Sequence, residues 1–113
     1  MATAIVNNYF QTKLQLSNIQ KVAEVCKDLG LEPDWLCAVM HFESLLNPQK
    51  QNPTSGSVGL IQFTRDKAGA SYKTINGKKY QLSDLQKMDF NSQMDVVHEY
   101  YKTFKGKKYC IFY

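Results

Sequence analysis

Apolar side chains recur every three to four residues in three stretches of the chain, which is the spacing of one face of an α-helix. The first stretch begins at Ser17 and ends at Gly30, with its apolar stripe at Ile19, Val22, Cys26 and Leu29. The second begins at Pro33 and extends to about Leu46, where the Asn-Pro pair at 47–48 disfavours further helix. The pattern therefore predicts two consecutive helices with a short connection.

The third stretch lies near the end of the chain. It covers residues 90–104, with apolar positions at Phe90, Met94, Val97, Tyr101 and Phe104. Before it, an Asn-Gly pair at 76–77 separates two short segments with apolar positions, which is typical of a tight β-hairpin. Short helices are predicted for residues 65–71 and 83–88. Residues 47–57, rich in Asn, Pro, Ser and Gly, predict a loop.

These elements predict a mainly α fold of the α+β type, in which a helical bundle carries a small hairpin and a substrate cleft. The chain has 113 residues, of which 43% are apolar and 21% charged, so it suits one globular domain with a hydrophobic core. We interpret residues 1–113 as this single domain, with residues 1–16 as an N-terminal extension. The apolar run at 109–113 predicts either a terminal strand or a chain truncated from a longer protein.

Charge is distributed unevenly along the chain. Residues 1–64 contain four lysines and five acidic residues, whereas residues 65–113 contain ten basic and five acidic residues. The second half therefore has a net charge of +5, which suits a polyanionic partner or a solvated face. No helix interleaves basic and aromatic residues convincingly, so no nucleic-acid partner is expected.

Cysteines and histidines give no sign of a disulfide framework, a metal site or a cofactor. Cys26, Cys37 and Cys110 are odd in number and lack a CxxC spacing, so we expect reduced thiols. His41 and His98 stand apart from any cluster of ligands. The N-terminus has neither a basic segment nor a long apolar run, so no signal peptide or membrane insertion is expected. The chain would be made in the cytoplasm and carried outside by another route.

One carboxylate on the second predicted helix is the candidate for chemistry. Glu43 lies near the C-terminus of this helix and shares a face with Leu36, Val39, Met40 and Leu46. An apolar surrounding and the negative end of the helix dipole both disfavour an ionised carboxylate, as a general acid requires. The alternative is a structural glutamate that hydrogen-bonds amides of the 47–57 loop.

The residues that follow Glu43 favour the catalytic interpretation. Glu43-Ser44 precedes NP at 47–48, NPTSGS at 52–57 and GLIQF at 59–63. This order resembles the soluble-type lytic transglycosylases of the lysozyme-like superfamily, and the helix at 93–101 resembles that of phage-associated members. Two upstream segments are also similar, PDWL at 33–36 and VMHF at 39–42. The resemblance covers most of residues 18–113 and implies a lysozyme-like fold.

The resemblance also implies roles for the cleft residues. Glu43 would be the catalytic acid and base. Gln62 would bind sugar substituents, although its amide could instead pin the neighbouring backbone. Either Asn52 or Ser55 would help to hold Glu43 and the substrate, with Ser55 preferred. Phe63 would belong to the substrate-binding segment.

A tyrosine near the catalytic glutamate is the least defined of the implied residues. The family's Ala-Tyr-Asn-Ala-Gly motif is missing here. Tyr109 is the positional candidate, and Tyr100 or Tyr101 are alternatives; all three could be core aromatics. Three residues near Glu43 are interpreted as structural, namely Trp35, His41 and Ser44.

The implied reaction uses a single protein carboxylate. Glu43 would protonate the glycosidic oxygen between N-acetylmuramic acid and N-acetylglucosamine. It would then accept the proton of the muramic acid 6-hydroxyl as a 1,6-anhydro ring closes. Goose-type lysozymes, which use water, carry an Asp where this chain has Thr64. Asp66 could replace it only if the local backbone differs.

Two other functions would use the same fold and the same partner, peptidoglycan glycan strands. One is a muramidase-type hydrolase (lysozyme), and the other is a catalytically inactive wall-binding virion module. The chain is expected to be monomeric or part of a larger phage protein, acting on the cell wall from a virion or as an endolysin. A domain of an exported bacterial protein fits the residues equally well.

Overall fold

The computed structural model describes residues 7–104, which form helices and one antiparallel hairpin. The elements in chain order are α1 (Asn8–Gln11), α2 (Leu16–Leu29), α3 (Pro33–Ser44), β1 (Tyr72–Ile75), β2 (Lys78–Gln81), α4 (Leu82–Lys87) and α5 (Phe90–Lys102). The predicted mainly α class with a small hairpin is confirmed.

The two consecutive helices predicted from the apolar pattern are α2 and α3. Gly30 ends α2 in the left-handed conformation, with φ of 74°, which glycine adopts without steric cost. Helix α3 begins with Pro33 in its first turn and ends at Ser44, two residues earlier than predicted. The helix stops because Leu45 and Leu46 both adopt positive φ, and the Leu46 N–H turns back to the Met40 carbonyl.

The core lies between α2, α3 and α5. Fully buried side chains from these helices, from residues 58–63 and from α4 meet there, among them Val22, Leu36, Met40, Leu60, Leu85, Met94 and Val97. Cys26 and Cys37 are also buried there as free thiols, and burial raises the pKa of each to about 12. Both are therefore the reduced core residues that were predicted. Cys110 lies outside the described residues.

The hairpin has the predicted two-residue turn. Tyr72 pairs with Gln81 and Ile75 with Lys78, so Asn76 and Gly77 form the turn, both with positive φ. Helix α4 follows β2 directly and begins one residue before the prediction.

The predicted helix at 65–71 is wrong. This segment forms turns and folds against the hairpin, because the Asp66 N–H donates to the Tyr72 carbonyl at 2.9 Å. Gly69 adopts a φ of 86°, which lies outside the helical region.

A short N-terminal helix packs on α3. Phe10 of α1 is buried, and the Asn7 N–H donates to the Asp34 carboxylate at 2.8 Å. The Tyr9 hydroxyl lies 3.0 Å from His41 Nε2, so His41 has a structural partner. Helices between residues 7 and 104 are too short or too polar to cross a bilayer.

Candidate active site

The end of α3 and residues 47–64 fold together to form one wall of a cleft. The Ser44 hydroxyl is buried and lies 2.9 Å from the carbonyl oxygens of both Met40 and Leu60. It therefore bonds back to its own helix, as predicted, and also joins α3 to the GLIQF segment (residues 59–63). This contact fixes the segment beside the helix turn that carries Glu43.

A buried amide on α5 holds the same segment from the other side. The Gln93 side-chain oxygen accepts from the Leu60 N–H, and its nitrogen donates to the carbonyls of Pro48 and Leu85, each at 2.8 Å. Gln93 is fully buried, so these bonds are made in the absence of competing water. Its position on the apolar face of α5, three residues after Phe90, is the sequence signal for this role.

Gly59 fits against Gln93 because glycine has no Cβ. A Cβ at this position would lie 2.5 Å from the Gln93 side-chain oxygen, and φ is 91°. Three residues further on, Gln62 adopts a φ of 56°, which is uncommon for a residue other than glycine. Strained backbone of this kind is often found beside functional sites.

The cleft between these elements has a volume of about 370 Å³, within the range of ligand pockets. Its lining residues are Glu43, Lys50, Asn52, Ser55, Ser57, Ile61, Gln62 and Thr64. The structure thus brings the predicted Glu43, Asn52, Ser55 and Gln62 to one cavity. Lys50, Ser57 and Ile61 are additional lining residues that the apolar pattern did not single out.

Glu43 is exposed, and its predicted apolar surrounding is wrong. The buried face of the last turns of α3 contains Met40 and Ser44, and Glu43 lies on the flank of that face. Its carboxylate makes no hydrogen bond or ion pair with residues 7–104, so the alternative in which it pins the loop is not observed either. The side chain borders the cleft without being held there.

Asn52 and Ser55, the two candidates for the loop residue that would help to hold Glu43 and the substrate, have different environments. The Asn52 side-chain oxygen accepts from the backbone N–H groups of Thr54 and Ser55, at 2.8 and 2.9 Å. This is an Asx turn that shapes the loop. The Ser55 hydroxyl donates to the Ser57 hydroxyl at 3.0 Å. Neither side chain hydrogen-bonds Glu43 in the described structure.

Gln62 has the structural role that was considered for it, and its sugar-binding role stays a prediction. Its side-chain nitrogen donates to the carbonyls of Gly59 and Lys50, at 3.0 and 3.2 Å, which pins the neighbouring backbone. Its side-chain oxygen makes no hydrogen bond with residues 7–104, and Gln62 is one of the residues that line the cleft. The amide is therefore oriented with an acceptor available for a ligand.

Phe63 packs in the core next to the cleft. It is buried and packs edge-on against Tyr100, with ring centroids 6.0 Å apart, whereas Ile61 lines the cavity. Phe63 was expected to contact the substrate, but its side chain is buried in the core and does not line the cleft.

Of the three tyrosine candidates, Tyr109 lies outside the described residues. Tyr101 is buried on α5, where its ring packs against Trp35. Burial raises the pKa of the Tyr101 phenol, and the nearby Tyr100 and Glu43 charges raise it further. Tyr101 is not among the residues that line the cleft. The pKa of Tyr100 is raised by burial alone.

Thr64 stands at the position where goose-type lysozymes carry an Asp, and it lines the cleft together with the hydroxyl of Ser57. The Ser57 and Thr64 hydroxyls are 2.9 Å apart. Asp66 turns away to the hairpin, where it accepts from the Thr74 N–H at 2.8 Å and from the Thr74 hydroxyl at 2.6 Å. These hydrogen bonds hold the pKa of Asp66 below its usual value of 3.8. Residues 7–104 contain no cluster of three or more His, Cys, Asp or Glu side chains that could hold a metal.

Comparison with known families agrees with this geometry. The family described as "Transglycosylase SLT domain" matches residues 20–112, which is most of the chain and includes every residue that lines the cleft. No curated protein and no solved structure matches the chain significantly. The chain belongs to the transglycosylase SLT domain family, and its function is of the lytic transglycosylase type, acting on the peptidoglycan of the cell wall.

Proposed function

We propose that this protein is a peptidoglycan lytic transglycosylase that cleaves the β-1,4 bond between N-acetylmuramic acid and N-acetylglucosamine, with Glu43 as acid and base. The observation that carries the proposal is the composition of the cleft. Glu43 is the single carboxylate among its lining residues in the described part of the chain. A reaction that needs one protein carboxylate fits this site better than a reaction that needs two.

In the proposed reaction, the Glu43 carboxyl donates its proton to the glycosidic oxygen, and the bond from that oxygen to C1 of muramic acid breaks. The N-acetyl group of the same sugar stabilises the positive charge that develops at C1. The Glu43 carboxylate then takes the proton of the 6-hydroxyl while O6 bonds to C1. The proton returns to Glu43, and the product ends in 1,6-anhydro-N-acetylmuramic acid.

The other cleft residues would bind the strand rather than take part in proton transfer. Gln62 presents its side-chain oxygen to an amide N–H or a hydroxyl of the sugar, while its nitrogen remains bound to Gly59 and Lys50. Ser55 offers a hydroxyl at the rim. Asn52 shapes the loop beneath it. No metal or cofactor takes part in the proposed reaction.

The alternative is a muramidase-type hydrolase, in which a second carboxylate activates water or forms a covalent intermediate. Asp66 is the residue that the sequence offers for this role. It is already bound to Thr74 and does not line the cleft. Thr64, which does line it, has no basic group.

The proposal is tested by mass spectrometry of the fragments that wild type and Glu43→Gln release from purified peptidoglycan. Wild type should release fragments that end in anhydro-muramic acid, one water lighter than hydrolysis products. Glu43→Gln should release none, since an amide cannot donate the proton. Because Glu43 is exposed, this variant should keep the circular dichroism spectrum and unfolding midpoint of wild type.

Other results would overturn the proposal in distinct ways. Fragments with reducing ends would identify a hydrolase and would direct attention to Asp66. An absence of fragments from wild type, together with retained binding to peptidoglycan, would identify a wall-binding module. Cleavage by Glu43→Gln equal to that of wild type would remove Glu43 from the mechanism.

The biological setting is a further part of the proposal and rests on the sequence. The resemblance of residues 93–101 to phage-associated members suits a phage protein that acts on the wall from a virion or at lysis, and a domain of an exported bacterial protein fits the residues equally well. A monomer, alone or as part of a larger phage protein, would be sufficient, because all cleft residues come from one chain.

A further inference from the structure

We propose that Lys50 binds a carboxylate on the lactyl arm of muramic acid and thereby selects muramic-acid strands over uncharged glycans of the same backbone. The carboxylate belongs either to the lactyl group itself or to the peptide attached to it. This inference rests on the proposed function, because it takes the cleft to be the binding site for peptidoglycan.

The first argument is the charge of the cleft. Lys50 is the one basic residue among the lining residues that the structure describes, and Glu43 is the one acidic residue. The other six lining side chains are hydroxyls, amides and one isoleucine. An anionic group on a bound strand would therefore meet its opposite charge at Lys50.

The second argument is that the Lys50 ammonium has no partner among residues 7–104. It forms no hydrogen bond or ion pair with residues 7–104, in contrast to Lys21, which lies 2.7 Å from Asp95. Lys50 and Glu43 line the same cavity without approaching within the 4.0 Å that defines a salt bridge. The charge of Lys50 is thus available to a ligand and is not neutralised by Glu43.

The third argument is that the backbone of Lys50 is anchored. Its carbonyl accepts from the Gly59 N–H at 2.9 Å and from the Gln62 side chain at 3.2 Å. The residue that presents the charge is therefore fixed to the residue proposed to bind the sugar. A strand that contacts Gln62 would have its neighbouring substituents close to Lys50.

The chemistry of the substrate supplies the matching group. N-acetylglucosamine is uncharged, whereas muramic acid carries a 3-O-lactyl arm that ends in a carboxylate or in a peptide with carboxylates. A lysine ammonium is a compact charge with three donors on a flexible stem, so it suits a carboxylate whose orientation varies. A hydrogen bond between two charged groups is stronger than one between neutral groups.

Binding is measured in the Glu43→Gln background, so that no turnover disturbs the titration. Three soluble glycans are titrated into the protein by calorimetry at low salt. The first consists of strands stripped of peptide by an amidase, which have free lactyl carboxylates. The second consists of the same strands with those carboxylates converted to methylamides. The third consists of strands that keep their peptides.

Lys50→Met in this background should weaken binding of the carboxylate strands by about fivefold, or roughly 1 kcal/mol, a size typical of solvent-accessible ion pairs. Binding of the methylamide strands should not change. Lys50→Arg, which keeps the charge, should restore most of the loss. Lys27→Met removes an exposed lysine from α2, away from the cleft, and should have no effect on any of the strands.

The glycans separate the two sources of the carboxylate. A loss on stripped strands supports the lactyl carboxylate, and a loss confined to peptide-bearing strands supports the peptide. Equal weakening on methylamide strands, no weakening on either carboxylate strand, or no binding of any strand would overturn the inference. Failure of the proposed function looks different: with Glu43 intact, the protein would release no anhydro fragments while binding still depended on Lys50.

Discussion

Gln93 on α5 accepts a hydrogen bond from the backbone N–H of Leu60, which lies in the segment that forms the cleft wall. The same amide donates to Pro48, at the start of the loop, and to Leu85 of α4. One buried side chain therefore sets the separation of the two ends of the cleft loop. Ser44 holds the same segment from α3, so the cleft is shaped from both helices.

Gln93→Leu should lower the free energy of unfolding by about 2 kcal/mol or more, because it leaves the Leu60 N–H and the Pro48 carbonyl without a partner, whereas the Leu85 carbonyl keeps the Met88 N–H. The two side chains are similar in size, so a cavity contributes little. Urea denaturation measures the change. Gln86→Leu is the control, since Gln86 makes one hydrogen bond, to Gln49, and should cost about 1 kcal/mol or less. Equal costs for the two variants would contradict the anchoring role of Gln93.

Gly59→Ala should be far more destabilising than Gly69→Ala. Both glycines have positive φ, 91° and 86°, so both variants incur the backbone cost of roughly 1 kcal/mol. An added Cβ meets nothing within 4 Å at Gly69, but it would lie 2.5 Å from the Gln93 oxygen at Gly59. The difference between their unfolding midpoints in urea isolates the close approach from the backbone strain. Similar midpoints would mean that Gln93 can shift without cost.

Local pattern was sufficient to predict α2 to α5 and the hairpin, whereas α1, which lies in the predicted N-terminal extension, was missed. The stripe from Ile19 to Leu29 and the pair Asn76-Gly77 each determine structure through neighbours in the chain. The segment at 65–71 was predicted incorrectly because its conformation depends on partners in the hairpin, above all the contact of Asp66 with Thr74. Helical spacing alone cannot detect such a contact.

The cleft was predictable in part, for a related reason. The order of residues from Glu43 to Gln62, through its resemblance to the family, identified four residues that line the cavity, namely Glu43, Asn52, Ser55 and Gln62. Exposure of Glu43 was not predictable, because the two positive-φ residues after α3 end the helix early and Ser44 takes the core-facing position. The partners of Gln93 are 33 to 45 residues away in the cleft loop and 8 away in α4, so no local pattern contains them.

The contact between Asp66 and Thr74 should make stability depend on acid pH. The native pKa of Asp66 lies below its usual value of 3.8, so the ionised form contributes stability above that pH. This contribution is lost as pH falls from 3.8 through the lower native pKa.

Thr74→Val removes the hydroxyl donor to Asp66 and should therefore lower the melting temperature at pH 6 more than at pH 2.5. Thermal unfolding followed by circular dichroism across this range gives the difference between wild type and variant. Thr103→Val is the control, because its hydroxyl donates to the Tyr100 carbonyl and involves no carboxylate. A difference for Thr74→Val that stayed constant with pH would refute the coupling.

Tyr101→Phe should lower the turnover of peptidoglycan by about tenfold, because it removes a phenol that interacts electrostatically with Glu43, the residue proposed to transfer the proton. Stability should change by less than about 1 kcal/mol, since the hydroxyl makes no hydrogen bond with residues 7–104. Tyr100→Phe is the matched control on the preceding residue of α5: Tyr100 packs on Phe63, and Glu43 is not among the causes of its raised pKa. Fragment release, corrected for the folded fraction, compares the two variants with Tyr109→Phe. A loss confined to Tyr109→Phe would assign the site tyrosine to the C-terminal segment and would leave Tyr101 as a core residue.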